Sequence, residues 1–125
     1  MKKPINLSEM EWQIMQFLWE KGVKSVKEVW QTLYPEKEKA YTTVQTYLDR
    51  MAEKKLLEKQ KIGLVNFYFP LIDKQTLRKQ ATETLVSKAF NGSFLNLAAF
   101  LVDSQTLSED DLDKIQELIS RKEDG

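Results

Sequence analysis

Residues 41–52 read Tyr41-Thr42-Thr43-Val44-Gln45-Thr46-Tyr47-Leu48-Asp49-Arg50-Met51-Ala52, and at helical spacing they divide into two faces. Val44, Leu48 and Met51 fall at i, i+4 and i+7 and make an apolar stripe. Thr42, Thr43, Gln45, Thr46 and Arg50 lie away from it, and the first two turns of that polar face are almost free of acid. Such a face suits a helix that enters the major groove of DNA. Short hydroxyls and amides reach base edges there, whereas carboxylates would repel the phosphates.

The flanking sequence places this helix third in a series. Ser8 followed by Glu11 is a capping box, with Leu7 and Trp12 as its hydrophobic staple. Ile14, Met15, Leu18 and the tryptophans Trp12 and Trp19 then form a core-facing side, and Gly22 ends the helix. A second box, Ser25 with Glu28, opens a shorter helix that turns Val26, Val29, Trp30 and Leu33 inward and that Pro35 forbids to continue. The third helix is expected to end near Lys54-Lys55. After it, Leu57 to Ile62 and Val65 to Phe69 alternate about Gly63, and Pro70 stops the second run, which reads as a β-hairpin. Three short helices followed by a hairpin make a winged helix, a helix-turn-helix variant whose third helix is the one that reads DNA.

Composition bounds the rest. The chain has 125 residues, 42% of them hydrophobic, with only 4 Gly and 3 Pro, as in an ordered, helix-rich protein. No apolar run approaches the roughly 20 residues of a membrane span, and no signal-peptide pattern opens the sequence. The absence of Cys excludes a disulfide framework and fits a reducing cytoplasm, the expected location. With neither Cys nor His, the usual zinc, copper and haem ligands and most nucleophile–base pairs are missing. No metal, no cofactor and no enzymatic activity are expected. Net charge is zero but unevenly placed: residues 1–70 carry 12 Lys or Arg against 9 Asp or Glu, and residues 71–125 carry 7 against 10. A mildly basic binding half joined to an acidic half fits that split.

The expected domains are a winged helix over 1–71 and a helical dimerisation region over 72–125. Asp73 can cap a helix running to about Phe90, and Asn91-Gly92 is a stop and turn. Phe94 to Val102 is apolar nearly all round, so burial between elements or subunits is expected. Ser108, flanked by Leu107 and Leu112, opens a last helix. Three helices of this length hardly form a core alone, and exchange between two copies would bury Leu85, Phe90, Phe94, Leu97, Leu101, Leu112, Ile115 and Ile119 in a two-fold dimer. Packing onto their own N-terminal half as a monomer is the alternative.

On this reading Thr42, Thr43, Gln45 and Thr46 read bases, while Lys54, Lys55, Lys59 and Lys61 contact phosphates and Arg50 positions the backbone. Structural alternatives stay open at several positions. Thr42 and Gln45 could form a third capping box, Arg50 could pair with Asp49 or Glu53, and Lys59 and Lys61 could be a solvated strand face. The same third helix could also grip a protein in place of DNA.

Thr42-Thr43-Val44-Gln45-Thr46-Tyr47-Leu48-Asp49-Arg50-Met51, followed by Glu53-Lys54-Lys55-Leu56-Leu57, resembles the recognition-helix signature of the penicillinase-repressor (BlaI/MecI) family. Leu7 to Met15, Phe67-Tyr68-Phe69-Pro70-Leu71, Asn91-Gly92-Ser93 and Leu107 to Leu112 extend the resemblance over nearly the whole chain. It implies a cytoplasmic homodimeric repressor of resistance genes on a palindromic operator, released when a membrane-bound sensor protease triggers its cleavage. The matching cleavage pair here is Ala99-Phe100, with Ala in place of the family's Asn. Two other positions depart from the pattern. Leu64 follows the wing glycine where Arg is usual, and Gln45 stands where many relatives have Arg. Gln pairs best with adenine and Arg with guanine, so a different operator is expected.

Overall fold

Ser8 and Ser25 start the first two helices as capping boxes: each hydroxyl accepts from the backbone N–H of the glutamate three residues on, and each glutamate accepts from the serine N–H. The computed structural model describes residues 5–125. Its elements are α1 (Glu9–Lys21), β1 (Lys24–Ser25), α2 (Val26–Leu33), α3 (Tyr41–Glu53), β2 (Leu57–Ile62), β3 (Val65–Pro70), α4 (Lys74–Ala89), α5 (Phe94–Asp103) and α6 (Glu109–Asp124). The fold is mainly helical, a winged helix followed by C-terminal helices. Among the described residues no single helix is long and apolar enough to cross a membrane.

The chain divides into two compact units, one ending at Ala81 and one running from Thr82 to Gly125. In the first, Ile14, Met15 and Leu18 of α1, Val29 of α2, and Val44, Leu48 and Met51 of α3 meet in one core, closed by Leu57 and Tyr68 of the wing. The three tryptophans are half-buried and pack against this core without being enclosed by it. Each of two indole N–H groups has a backbone acceptor: Trp19 donates to the carbonyl of Ile72 at 3.0 Å and Trp30 to that of Lys39 at 2.8 Å. An indole needs such an acceptor when its ring is withdrawn from water.

The wing is a three-stranded antiparallel sheet of order β1-β3-β2. The hairpin turns at Gly63, whose φ of 65° is the left-handed conformation that glycine adopts without penalty. β1 is an addition to the expected hairpin: Lys24 pairs with Tyr68 and Ser25 with Phe67. The unit also runs past the expected boundary at residue 71, because Leu77 in the first turns of α4 is fully buried in its core.

In the second unit Val86 is buried, and the rings of Phe90 and Phe100 pack with centroids 5.7 Å apart. Asn91 and Gly92 both take positive φ, ending α4, and Ser93 caps α5 by accepting from Asn96 N–H. Ser108 and Asp111 form a third capping box on α6. α5 differs from the expectation of burial between elements: none of its residues is buried within the chain. Phe94, Leu95, Phe100 and Val102 are exposed, as are Ile115, Leu118 and Ile119 on α6.

Candidate nucleic-acid interface

The polar face of α3 is built by what happens just before it. Trp30, held by the Lys39 carbonyl, meets Tyr41 edge-on at 5.7 Å, which anchors the first residue of the helix to α2. The N-cap is Ala40, and no side chain caps it. The alternative in which Thr42 and Gln45 box the helix end is therefore not realised; Thr42 already lies inside the first turn. With no acid in that turn, the positive end of the helix dipole is left uncompensated.

Thr42, Thr46 and Arg50 are exposed, while Thr43 and Gln45 are half-buried. Gln45 lines an open groove of about 380 Å³ together with Tyr41, Ser25, Val26, Leu64 and Asn66, between the start of α2, α3 and the wing tip. The Thr46 hydroxyl donates to the Thr42 carbonyl at 2.9 Å. Its proton is committed to the helix, and its lone pair and methyl remain for an outside partner. Arg50 forms no ion pair among the described residues.

The lysines separate into two kinds. Lys55 and Lys61 are exposed, and Lys55 carries a left-handed φ of 67° at the end of α3. Lys54 and Lys59 are engaged. Lys54 Nζ lies 3.0 Å from Glu11 Oε2, reaching from the end of α3 to the capping glutamate of α1. Burial of Glu11 opposes its ionisation, but the Ser8 N–H and the Lys54 ammonium outweigh it and hold the carboxyl below the usual range. Lys59 Nζ lies 3.0 Å from Asp49 Oδ1, and the same oxygen accepts the Tyr68 hydroxyl proton. Tyr68 is fully buried; burial first, then the bond to Asp49, push its ionisation well above the ordinary tyrosine value.

This cluster follows from the register. Lys59 stands directly opposite Tyr68 and Lys61 opposite Asn66, on the face of β2 that also carries the buried Leu57. Both lysines thus lie on the face of the wing that packs on α3. Sequence reasoning named Lys54 and Lys59 but not their partners Glu11, Asp49 and Tyr68. The signal available was hairpin symmetry about Gly63-Leu64, which sets Lys59 across from Tyr68. Leu64 itself, at the wing tip, is 94% exposed.

The model of a family described as penicillinase repressor matches residues 7–121. The chain is similar to the methicillin resistance regulatory protein MecI of Staphylococcus aureus (strain N315), 21% identical over 96% of this chain and 98% of that protein. It is also similar to the penicillinase repressor of Bacillus licheniformis, 24% identical over 95% of this chain and 93% of the relative. Among solved structures, the solution structure of the DNA binding domain of the repressor BlaI covers 59% of this chain and 90% of its own, at 32% identity and a TM-score of 0.51.

Proposed function

The chain belongs to the penicillinase repressor family, and from that premise we propose that it represses transcription as a cytoplasmic homodimer on a palindromic operator, controlling resistance-type genes. As a member of that family it is a winged-helix repressor and not an enzyme. The observation that carries the DNA reading is the outward face of α3: exposed Thr42, Thr46 and Arg50 beside half-buried Thr43 and Gln45, with Lys61 on the adjoining face of the wing. Thr42, Thr43, Gln45 and Thr46 read bases. Thr46, its proton already used, does so through its methyl group or as an acceptor. Arg50, Lys55 and Lys61 supply cations to phosphates without breaking an ion pair.

Dimerisation is proposed to use α5, α6 and the end of α4. Support comes from their exposed apolar residues, among them Leu85, Phe94, Ile115 and Ile119, with Phe90, Leu97, Leu101 and Leu112 beside them, half-exposed. Derepression is proposed to follow proteolysis at Ala99-Phe100 in α5 by a membrane sensor protease of the kind the family resemblance implies.

Selection of bound duplexes from random DNA, with wild type and Gln45→Ala in parallel, tests the reading. The wild type should return a two-fold symmetric site, and its affinity should fall with a log–log salt slope of about −0.9 per phosphate contacted. Gln45→Ala should cost about 1–3 kcal/mol on that site and flatten preference at one base pair per half-site. Enrichment of no sequence, with affinity indifferent to salt, would point instead to a winged helix that grips a protein through its apolar wing tip, where Ile62, Leu64 and Val65 are exposed.

A further inference from the structure

Asp49 sits one turn beyond Gln45 on the outward face of α3, where an acid would face the phosphates. It does not stand alone there. Its Oδ1 holds the Lys59 ammonium at 3.0 Å and accepts the hydroxyl proton of the buried Tyr68. Lys59 in turn lies 6.0 Å from the Tyr68 ring centroid, its cross-strand partner. The pair bridges the reading helix and the wing, and its two charges cancel at the surface that approaches DNA.

We propose that Asp49 withholds Lys59 from the phosphate backbone, lowering affinity for DNA of any sequence and its dependence on salt while leaving the base-reading side chains free. The inference rests on the DNA reading above. Affinity shared by all sequences is set by the number of phosphates that cations neutralise. A cation removed from that common contribution lowers specific and non-specific affinity by about the same factor, so it sets how tightly and how salt-sensitively the protein holds DNA and leaves the ratio between sequences as it is. The arrangement resists exchange with a phosphate for two reasons. Tyr68 fixes the carboxylate in place, so little side-chain order is lost in forming the pair. Departure of Lys59 would also leave Asp49 as a bare anion against a polyanion.

The test uses the full chain and two duplexes, one selected for tight binding and one scrambled. Asp49→Asn keeps an oxygen acceptor for Tyr68 and removes the charge that holds Lys59. It should bind both duplexes more tightly at low salt, by similar factors, with the ratio between them little changed. Its log–log salt slope should steepen by about 0.9 per protomer, an additional loss of about 3.5-fold over a fourfold rise in salt. Nuclear magnetic resonance of the lysine ammonium groups in the DNA-bound wild type should show hydrogen-bond coupling to phosphorus at Lys61 and none at Lys59; in Asp49→Asn it should appear at Lys59. The proposal is overturned by a Lys59–phosphorus coupling in the wild type, or by an Asp49→Asn slope and scrambled affinity equal to wild type. If the wild type binds neither duplex, the DNA reading itself falls. Should Asp49→Asn fail to fold, the wild-type spectrum decides alone.

Discussion

Glu11 shows how one side chain can be read twice. Locally it closes the capping box of α1 with Ser8, and across the fold it receives Lys54 from the end of α3. The first role depends on residues three apart and is legible in any sequence; the second joins residues 43 apart and depends on how two helices pack. Because the folded carboxyl titrates below its ordinary value of 4.5, its contribution to stability is complete above that value and is lost as pH falls through the depressed one. Lys54→Met removes one of the groups that depress it, and so should move the acid-unfolding midpoint, followed by circular dichroism, to higher pH. Ser8→Ala should in addition cost about 0.5–2 kcal/mol at neutral pH through loss of the cap. An unchanged acid midpoint in Lys54→Met would show that the Ser8 N–H alone holds Glu11.

Elements differ in how much of them the sequence makes visible. α1, α2 and α6 announce themselves with Ser caps and acidic third positions, signals contained within a single turn. β1 is two residues long and shows no alternation; it is a strand only because β3 lies beside it. The apolar run of α5 is legible as something to be covered, but what covers it is not, since no element of its own chain buries any of its residues. Covered by a second copy in the proposed dimer, α5 would join the two protomers, and cutting it would remove the linkage between half-sites. Exposure of cells to a cell-wall antibiotic should yield a new N-terminus at Phe100, found by sequencing the fragments of this protein. Loss of operator occupancy with the chain intact would remove proteolysis from the mechanism.

At the scale of the molecule the division after Ala81 matters more than the end of the wing. A boundary drawn at residue 71 from the proline and the end of alternation misses Leu77, because a single leucine returning to a core leaves no periodic trace. A fragment ending at residue 81 should fold as a monomer and bind the operator far more weakly than the whole chain, because linked half-sites lose their effective concentration. A fragment ending at residue 71 should be less stable than that by about 2–5 kcal/mol, the range for emptying a buried leucine site. Denaturation and sedimentation of the two fragments check both expectations; if the longer fragment dimerises as well as the full chain, the dimer seam lies elsewhere.

The tryptophans at 12, 19 and 30 all fall in the unit that ends at Ala81, and the other unit has none. Intrinsic fluorescence is therefore a one-sided optical channel. Trp30, edge-on to Tyr41 at the threshold of α3, is placed to change its emission when that helix is occupied. Events confined to the C-terminal helices carry no indole of their own and stay dark, so a single label-free measurement separates engagement of the first unit from rearrangement of the second.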